Sequence, residues 1–369
     1  MTTDDRVCIH EMPQVPVLEL GTEQGVSAAV MVQTGSVVYV AGGCNFPNLP
    51  AVKGGSKRYY SHILEWDGCK WLRAGNLRQP LAYGVAVPVK DGFICIGGQN
   101  FSGSQTAVDL YILKQGSSPV VSSLPSLPQP IDNMAGIKVG EQIFIAGGIK
   151  AGHPSNSLYT LDIKQLEKGW QLRSEFPGPP RVQPVLTFSG NEGKLKLFIW
   201  GGFAAGSEST PASVSMDGLS YDVESDRWTS LPPPLDKRGN PVSLGGGTGT
   251  VWNDSLMLFT GGVNRHVFLN ALQREASFNG KKAISLRRQY LSHQPEWYRF
   301  NTKLLLYDAK NNCWQEIFDA PELARAGAAA VRYGDELLIF QGEIKPGVRS
   351  VKSYRVQLSP YLLRNHSIY

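Results

Sequence analysis

The sequence predicts an all-β fold, a six-bladed β-propeller with four antiparallel strands per blade, formed as a single domain over residues 1–369. Two repeated features predict it. An apolar strand that ends in a glycine pair recurs six times, and a strand of small residues precedes the glycine strand in each unit. The composition agrees: 40 Gly, 24 Pro and only 18% charged residues are typical of many short strands joined by tight turns.

The glycine strands set the period of the repeat. They read VVYVAGG, FICIGG, IFIAGG, LFIWGG, LMLFTGG and LLIFQG, and their last glycines are Gly43, Gly98, Gly148, Gly202, Gly262 and Gly342. In the sixth strand Gln341 replaces the first glycine. Most of the intervals are about 50 to 60 residues, which suits four strands per unit and indicates a propeller or a solenoid.

The remaining strands of each unit favour the propeller. Small-residue strands such as GVSAAVMV, YGVAVPV, MAGIKV and AGAAAV can crowd around a central axis, so they are predicted to be innermost. A third strand ends near Tyr-Asp, and a fourth begins at Trp71, Trp170, Trp228 or Trp314; the second unit lacks this Trp. A glycine pair, Tyr-Asp and Trp at these offsets resemble Kelch repeats.

The two ends of the chain are predicted to share a blade. The sixth unit lacks a fourth strand after about Gln357, whereas an extra strand, Val7 to His10, opens the sequence. Pairing of this strand 7–10 beside residues 351–357 would close the ring and leave no free edge.

The interval between Gly262 and Gly342 contains an insertion, at about residues 264–299 in blade five. Residues Leu269 to Tyr298 are rich in helix formers and mixed charge, so we expect a helical segment. It is interpreted either as a cap over the face that carries the functional site or as a surface excursion.

Composition limits the function classes. Cys8, Cys44, Cys69, Cys95 and Cys313 are scattered, which predicts free thiols and no metal site. The net charge of +5 comes from dispersed Lys and Arg, so neither nucleic-acid nor membrane binding is expected. The sequence begins without a secretory signal, which predicts a cytoplasmic protein, or a periplasmic one if a leader has been removed.

The strongest candidate site follows the sixth glycine strand. Glu343, Lys345 and Arg349 occur there within a few residues, where other units have glycine and small polar residues. A partly desolvated carboxylate can accept or donate a proton, and an arginine can grip a carboxylate. The alternative is that Glu343 and Arg349 only pair with each other and fasten the loop.

Several segments resemble the N-acetylneuraminate epimerase (sialic acid mutarotase) family. QGEIKPGVRS is similar to that family's glutamate loop, and GGVNRHVFLNAL, PEWYRFNTKLLLYD, FPGPPRVQ and AGNLRQPLAYGVAVP are similar to further segments. The resemblance covers most of the chain in rotated order, which implies a circularly permuted member.

The resemblance implies roles for individual residues. It makes Glu343 the proton acceptor and Arg349 the group that binds the substrate carboxylate. The family has arginine at the position of Leu81, so Arg78 is the candidate to replace it. The other candidates for substrate binding are Lys345, Asn264, Arg265, His266 and Tyr83.

The implied reaction interconverts the α and β anomers of N-acetylneuraminate or a related sialic acid by acid/base ring opening, with no cofactor or metal. The expected partner is a small sugar acid. The sequence does not decide whether the protein forms a homodimer. A Kelch interaction or sugar-binding module without catalysis is the main alternative. A copper radical oxidase and a sialidase are weaker ones, because the histidines are scattered and no convincing Asp box occurs.

Overall fold

The computed structural model of the protein describes residues 7–114, 116–190, 194–206 and 210–359. The parts of the predicted domain at residues 1–6 and 360–369 lie outside this range. Strands are numbered β1 to β35 in chain order. Within the described ranges, the long strands form six antiparallel four-stranded sheets. The prediction of an all-β chain built from such sheets is confirmed.

Sheets one to three come from the first part of the described chain, and each is a meander of successive strands. Sheet one contains β2 (Val30–Thr34), β3 (Val37–Ala41), β6 (His62–Trp66) and β7 (Trp71–Asn76). Sheet two contains β8 (Val85–Val89), β9 (Gly92–Ile96), β12 (Val108–Ile112) and β13 (Val120–Ser123). Sheet three contains β15 (Ala135–Val139), β16 (Gln142–Ala146), β19 (Leu158–Asp162) and β20 (Gln171–Arg173).

Sheets four to six follow the same order, except that the last one takes its outer strand from the other end of the chain. Sheet four contains β21 (Val185–Ser189), β22 (Lys196–Trp200), β25 (Gly218–Asp222) and β26 (Arg227–Leu231). Sheet five contains β27 (Thr248–Val251), β28 (Leu256–Thr260), β29 (Lys303–Asp308) and β30 (Cys313–Asp319). Sheet six contains β31 (Ala329–Tyr333), β32 (Glu336–Phe340), β35 (Tyr354–Leu358) and β1 (Val7–Glu11).

The outer edge of sheet six joins the two ends of the described chain. Strand β1 pairs antiparallel with β35, from Val7 opposite Leu358 to Glu11 opposite Tyr354. Val7 and Leu358 are both buried, so the strand contributes to the core as well as to the sheet.

The first strands of the sheets line a central axis. Each contacts the first strand of the next sheet, and the contact between β2 and β31 completes the circle. These strands enclose a central cavity of about 220 Å³. Buried apolar clusters fill the space between each sheet and its neighbours, so the core is distributed around the ring.

A closed circle of main-chain hydrogen bonds surrounds one end of the axis. In each sheet, the residue two positions before the first strand donates its N–H to the carbonyl of the equivalent residue in the preceding sheet, at 2.8 to 3.1 Å. All these residues have positive φ. The six, which we call the ring residues, are Ala28, Tyr83, Asn133, Gln183, Gly246 and Gly327.

The glycine pairs lie at the same end of the sheets and are required by close approach. Gly42 has φ 69°, and a Cβ atom on it would lie 2.2 Å from the carbonyl oxygen of Leu81 in the next sheet's leading segment. In sheet six Gln341 takes this position with φ 38°, and its side-chain Oε1 accepts a hydrogen bond from the N–H of Val26 at 2.7 Å. This side chain therefore ties sheet six to sheet one.

The connections after the glycine pairs contain short hairpins, which build up the end of the molecule that we call the glycine edge. The hairpin strands are β4 (Cys44–Asn45), β5 (Arg58–Tyr59), β10 (Gln99–Asn100), β11 (Gly103–Ser104), β17 (Ile149–Lys150), β18 (His153–Pro154), β23 (Phe203–Ala204), β24 (Ser213–Val214), β33 (Glu343–Lys345) and β34 (Val348–Arg349). Strand β14 (Ile131–Asp132), in the segment that leads into sheet three, pairs with β17.

In sheet five the corresponding connection contains helices. These are α1 (Arg265–Ser277), α2 (Gly280–Leu291) and a 3-10 turn at Pro295–Tyr298. Other 3-10 turns occur at Thr22–Gln24, Ala51–Lys53, Leu166–Lys168 and Pro321–Leu323. No described helix is long and apolar enough to cross a membrane.

Candidate active site

Glu343 and Arg349 face each other across the hairpin of β33 and β34. They are paired in register, and Arg349 Nη2 lies 2.8 Å from Glu343 Oε1. Pro346 and Gly347, whose φ is 82°, are the residue types that a type II turn takes at its central positions. The local sequence therefore folds the chain back so that the carboxylate and the guanidinium meet.

Arg349 is buried and only partly satisfied. Its side chain is 1% exposed, against 23% for Glu343. Nε donates to the carbonyl oxygen of Cys44 at 3.2 Å, and the guanidinium lies 4.9 Å from the centre of the Phe46 ring. Nη1 is buried and has no hydrogen-bond partner among the described residues.

The charge on Arg349 is stabilised by its surroundings. Burial alone would lower the pKa of its guanidinium, but the Glu343 carboxylate, Cys44 and Tyr83 raise that pKa above its usual value. The site thus holds a permanent buried cation whose Nη1 amino group has no partner among the described residues.

Tyr83, one of the ring residues, brings a hydroxyl group to the same region. Lys57 Nζ donates to Tyr83 Oη at 2.8 Å, and the Cys44 thiol donates to it at 3.6 Å. Burial raises the pKa of the Tyr83 phenol well above its usual value, and Cys44 and Glu343 raise it further. Tyr83 is therefore a neutral hydrogen-bond donor close to the charged pair.

Amide side chains on neighbouring ring residues extend the polar surface. Gln183 Nε2 donates to Asn133 Oδ1 at 2.6 Å, and Asn133 Nδ2 donates to Asp132 Oδ1 at 2.5 Å. The hydroxyl of Ser104 donates to the other carboxylate oxygen of Asp132. The fixed orientation of these groups suits a ligand with several hydroxyl groups.

Tyr59 lies in the same polar region. Its hydroxyl donates to Gln99 Oε1 at 3.0 Å. Burial raises the pKa of Tyr59 to about 12, with contributions from Cys44 and Asp132. The phenol is therefore neutral at physiological pH and adds another polar group of fixed protonation.

The helical segment reaches the Glu343 hairpin. Lys345 Nζ donates to the carbonyl oxygen of His293 at 2.6 Å, and β33 contacts the 3-10 turn Pro295–Tyr298. Burial raises the pKa of Tyr290, and both Tyr298 and the Glu343 carboxylate add to the shift. Lys345 therefore joins the hairpin to the helical segment, which lies beside Glu343.

Asn264, Arg265 and His266 begin this segment, and no described contact joins them to Glu343 or Arg349. Asn264 caps α1 by accepting from the N–H of Val267 at 3.2 Å. All three line a cavity of about 800 Å³ together with Asp217 and Arg299, among other residues. His266 also lines a cavity of about 380 Å³ between the helices, together with Tyr290 and His293.

Arg78 is engaged elsewhere. Its Nη1 lies 2.8 Å from Asp109 Oδ1 and 2.7 Å from Ser123 Oγ, on the third and fourth strands of sheet two. Leu81 packs in the apolar cluster between sheets one and two. The structure does not bring Arg78 into contact with the Glu343 pair among the described residues.

Two other units have an arginine at the position equivalent to Leu81. Arg181 and Arg325 also lie two residues before a ring residue, and both are buried. Arg181 Nη1 donates to the carbonyl of Gly201 at 3.1 Å, and Arg325 Nη1 donates to that of Gln341 at 2.6 Å. An arginine here can bind main chain at the glycine edge, and Leu81 replaces that role with apolar packing.

Sequence reasoning did not single out Cys44, Lys57, Asn133 or Gln183 as site residues. Three of these residues share a positional signal: Cys44 directly follows a glycine pair, and Asn133 and Gln183 lie two residues before innermost strands. The five cysteines are free thiols, with Cys44 and Cys95 buried. In the part of the chain that the structure describes, no group of three or more His, Cys, Asp or Glu could hold a metal ion.

The fold and the site define a β-sheet ring protein with an acid, an arginine and neutral hydroxyls at one end of its axis. The sequence pattern of the N-acetylneuraminate epimerase family matches residues 124–364, which is more than half of the chain. The chain therefore belongs to the N-acetylneuraminate epimerase family.

Individual relatives agree with this assignment. The chain is 29% identical over 239 residues to N-acetylneuraminate epimerase from Salmonella typhi, covering 65% of this chain and 59% of that protein. It is 29% identical over 243 residues to N-acetylneuraminate epimerase 1 from Escherichia coli O6:H1, covering 65% and 61%. The matched region thus spans about three-fifths of the length of these relatives.

A solved structure described as the structure of YjhT is also similar. It aligns with a TM-score of 0.52 and 27% sequence identity over 61% of this chain and 62% of that one.

Proposed function

We propose that this protein interconverts the α and β anomers of N-acetylneuraminate or a related sialic acid. The observation that supports it is the buried Arg349 guanidinium, whose Nη1 amino group has no partner among the described residues and lies beside the Glu343 carboxylate. An anionic sugar acid can bind Nη1 through its carboxylate. Its anomeric carbon, which bears that carboxylate, is then within the range of a proton-transfer group.

The chemistry asked of Glu343 is proton exchange. In the proposed reaction Glu343 removes the proton of the anomeric hydroxyl, the ring carbon–oxygen bond breaks, and the ring oxygen gains a proton. Rotation about the adjacent carbon–carbon bond presents the other face of the new carbonyl group, and the reverse steps close the ring. No covalent intermediate with the protein is needed.

The proposal also covers the arrangement of the sheets as propeller blades. We take the six sheets to be blades of a Kelch-type propeller, with strand β1 closing the ring and the helices inserted in blade five. The closed circle of hydrogen bonds through the ring residues supports this interpretation.

A rotated order of the family's units is also proposed. The family match begins at residue 124, although the earlier segment Ala74–Pro88 also resembles that family. In a ring whose ends share one sheet, the chain can begin in any blade without loss of contacts.

One observation favours a second candidate, a sugar-binding or interaction module without catalysis. The ion pair of Glu343 and Arg349 joins partners in one hairpin, as expected of a pair that only fastens the loop.

NMR of freshly dissolved sialic acid separates the two candidates. The enzyme accelerates the approach of the anomers to equilibrium in proportion to its concentration, above the spontaneous rate. A module without catalysis perturbs the sialic acid signals by binding, or leaves them unchanged, without altering the exchange rate.

A further inference from the structure

The hydroxyl group of Tyr83 is arranged to give away its proton. Oη accepts from Lys57 Nζ at 2.8 Å and from the Cys44 thiol at 3.6 Å. A phenol oxygen has two acceptor positions and one O–H donor, so these contacts use the acceptor positions. Within the described part of the chain, the Tyr83 O–H has no oxygen or nitrogen acceptor.

The backbone of Tyr83 fixes where this proton lies. As a ring residue with φ 59°, Tyr83 donates its N–H to the carbonyl of Ala28 and accepts from the N–H of Asn133. The other ring residues share this left-handed conformation and these main-chain hydrogen bonds, so the fold holds the Tyr83 backbone in place. The Tyr83 hydroxyl and Arg349 Nη1 are thus two unpartnered donors in the same polar region, because Cys44 contacts both side chains.

The reaction needs a proton donor in addition to a base. Ring opening takes a proton from the anomeric hydroxyl and places one on the ring oxygen, and both oxygens are bound to the same carbon. A base and an acid that act together avoid a charged sugar intermediate. Glu343 can supply the base, but one of its oxygens is already paired with Arg349.

We propose that Tyr83 is the general acid that protonates the ring oxygen during anomer exchange, and that Lys57 positions its hydroxyl and stabilises the phenolate that forms. This inference rests on the proposed function. In ring opening, the Tyr83 O–H bond and the ring carbon–oxygen bond break while a bond between the ring oxygen and hydrogen forms. Glu343 takes the anomeric proton, a carbonyl group forms, and ring closure returns both protons.

Two cations of the site favour this direction of transfer. Burial, Cys44 and Glu343 raise the pKa of Tyr83, which keeps the phenol protonated when substrate binds but makes it a weaker acid, so the transfer depends on the cations that stabilise the phenolate. The ammonium group of Lys57 lies against the oxygen that becomes negative, and Arg349 also acts on Tyr83 in the direction that favours the phenolate.

The test compares purified full-length variants by NMR anomer exchange over a range of sialic acid concentrations. Tyr83→Phe keeps the ring and the main-chain hydrogen bonds, so kcat should fall about 10²-fold or more with KM changed by less than about threefold. The matched control is Tyr307→Phe. Tyr307 lies on the third strand of sheet five, and its hydroxyl donates to Asn312 Oδ1. Removing this hydroxyl should leave kcat at the wild-type value.

Lys57 is tested as a positioning residue. Lys57→Met should lower kcat about tenfold or more without raising KM, and Lys57→Arg should restore part of kcat because it keeps a cationic donor. If Lys57 only fastens its loop, Lys57→Met lowers the unfolding temperature and leaves kcat unchanged.

The outcomes distinguish failure of the proposed function from failure of the proposed role of Tyr83. Wild-type protein that does not accelerate anomer exchange overturns the proposed function, and the role of Tyr83 with it. Accelerated exchange in the wild type with an unchanged kcat in a folded Tyr83→Phe variant overturns the role of Tyr83 alone. Should Tyr83→Phe not fold, a selective loss of kcat in folded Lys57→Met supports the proposal, and an unchanged kcat there overturns it.

Discussion

Two buried arginines lie in the connections at the glycine edge of sheet six, and they differ in their hydrogen-bond partners. Arg325 donates to the main-chain carbonyls of Glu322, Gln341 and Lys352 at 2.8, 2.6 and 2.6 Å. Arg349 donates to one carbonyl and pairs with a carboxylate, and its Nη1 has no partner among the described residues.

The difference extends to the charge state. Burial lowers the pKa of Arg325, whereas the carboxylate of Glu343 outweighs burial and raises the pKa of Arg349. Arg325 therefore fastens the main chain, and Arg349 is a buried cation with an unpartnered amino group among the described residues. Burial alone does not distinguish the two roles, but the set of hydrogen-bond partners does.

The largest expected effect comes from Glu343, the partner that sets Arg349 apart. Glu343→Gln keeps an oxygen that can accept from Arg349 but removes the base, so the anomer exchange rate should fall roughly 10²-fold to 10⁴-fold. Stability should fall by about 1–3 kcal/mol, because a neutral amide pairs less well with a buried cation. NMR exchange and urea unfolding measure the two effects separately. An unchanged rate in the folded variant would leave the loop-fastening ion pair as the better account.

The contrast between the two arginines also limits what the sequence alone can predict. Glu343 and Arg349 lie in one short hairpin, so their proximity follows from the Pro346–Gly347 turn. The sheets can also be predicted from the sequence, because the glycine strands and the small-residue strands repeat with a regular period. The N-acetylneuraminate epimerase resemblance, read from such local segments, is confirmed by the family match.

Side-chain contacts between distant parts of the chain cannot be predicted from motifs and spacing in the sequence. Cys44 and Arg349 are separated by most of the sequence, and only closure of the ring brings them together. Arg78 lies close in sequence to Tyr83, but its side chain is directed to an acid on the third strand of sheet two. Sequence spacing within a unit does not fix which face of the next unit a long side chain meets.

Replacing Arg325 should have the opposite effect to replacing Glu343: the protein should lose stability but keep its activity. Arg325→Met leaves the carbonyl oxygens of Glu322, Gln341 and Lys352 without this donor, but only the hydrogen bond to Gln341 is fully buried. A buried carbonyl without a partner costs about 1–3 kcal/mol, so we expect a loss of about that size in the free energy of unfolding, with kcat within about threefold of wild type below the melting temperature. Urea unfolding checks the first value, and a loss under about 1 kcal/mol would contradict the conclusion that Arg325 fastens the main chain.

A smaller effect is expected at Arg349 when its charge is kept. Arg349→Lys replaces a planar fork with a point charge, so it cannot hold Glu343, the Cys44 carbonyl and a substrate carboxylate together. KM should rise about 10-fold to 100-fold with a smaller change in kcat. Exchange rates measured across sialic acid concentrations separate the two constants. A fall in kcat at constant KM would instead assign Arg349 to the chemical step.

The smallest effect on activity is expected at Arg78, which has no described contact with Glu343 or Arg349. Its side chain is 48% exposed, and its guanidinium bonds to Asp109 and Ser123. The ion pair is only half exposed, because the Asp109 side chain is 9% exposed, and Ser123 also donates to Asp109 at 3.1 Å. Arg78→Met should therefore cost about 1–3 kcal/mol in stability, because it leaves a buried carboxylate with one fewer donor, but should leave KM and kcat for sialic acid within about twofold of wild type. A rise in KM comparable to that of Arg349→Lys, in a folded Arg78→Met variant, would show that Arg78 turns toward the substrate and replaces the arginine that Leu81 lacks.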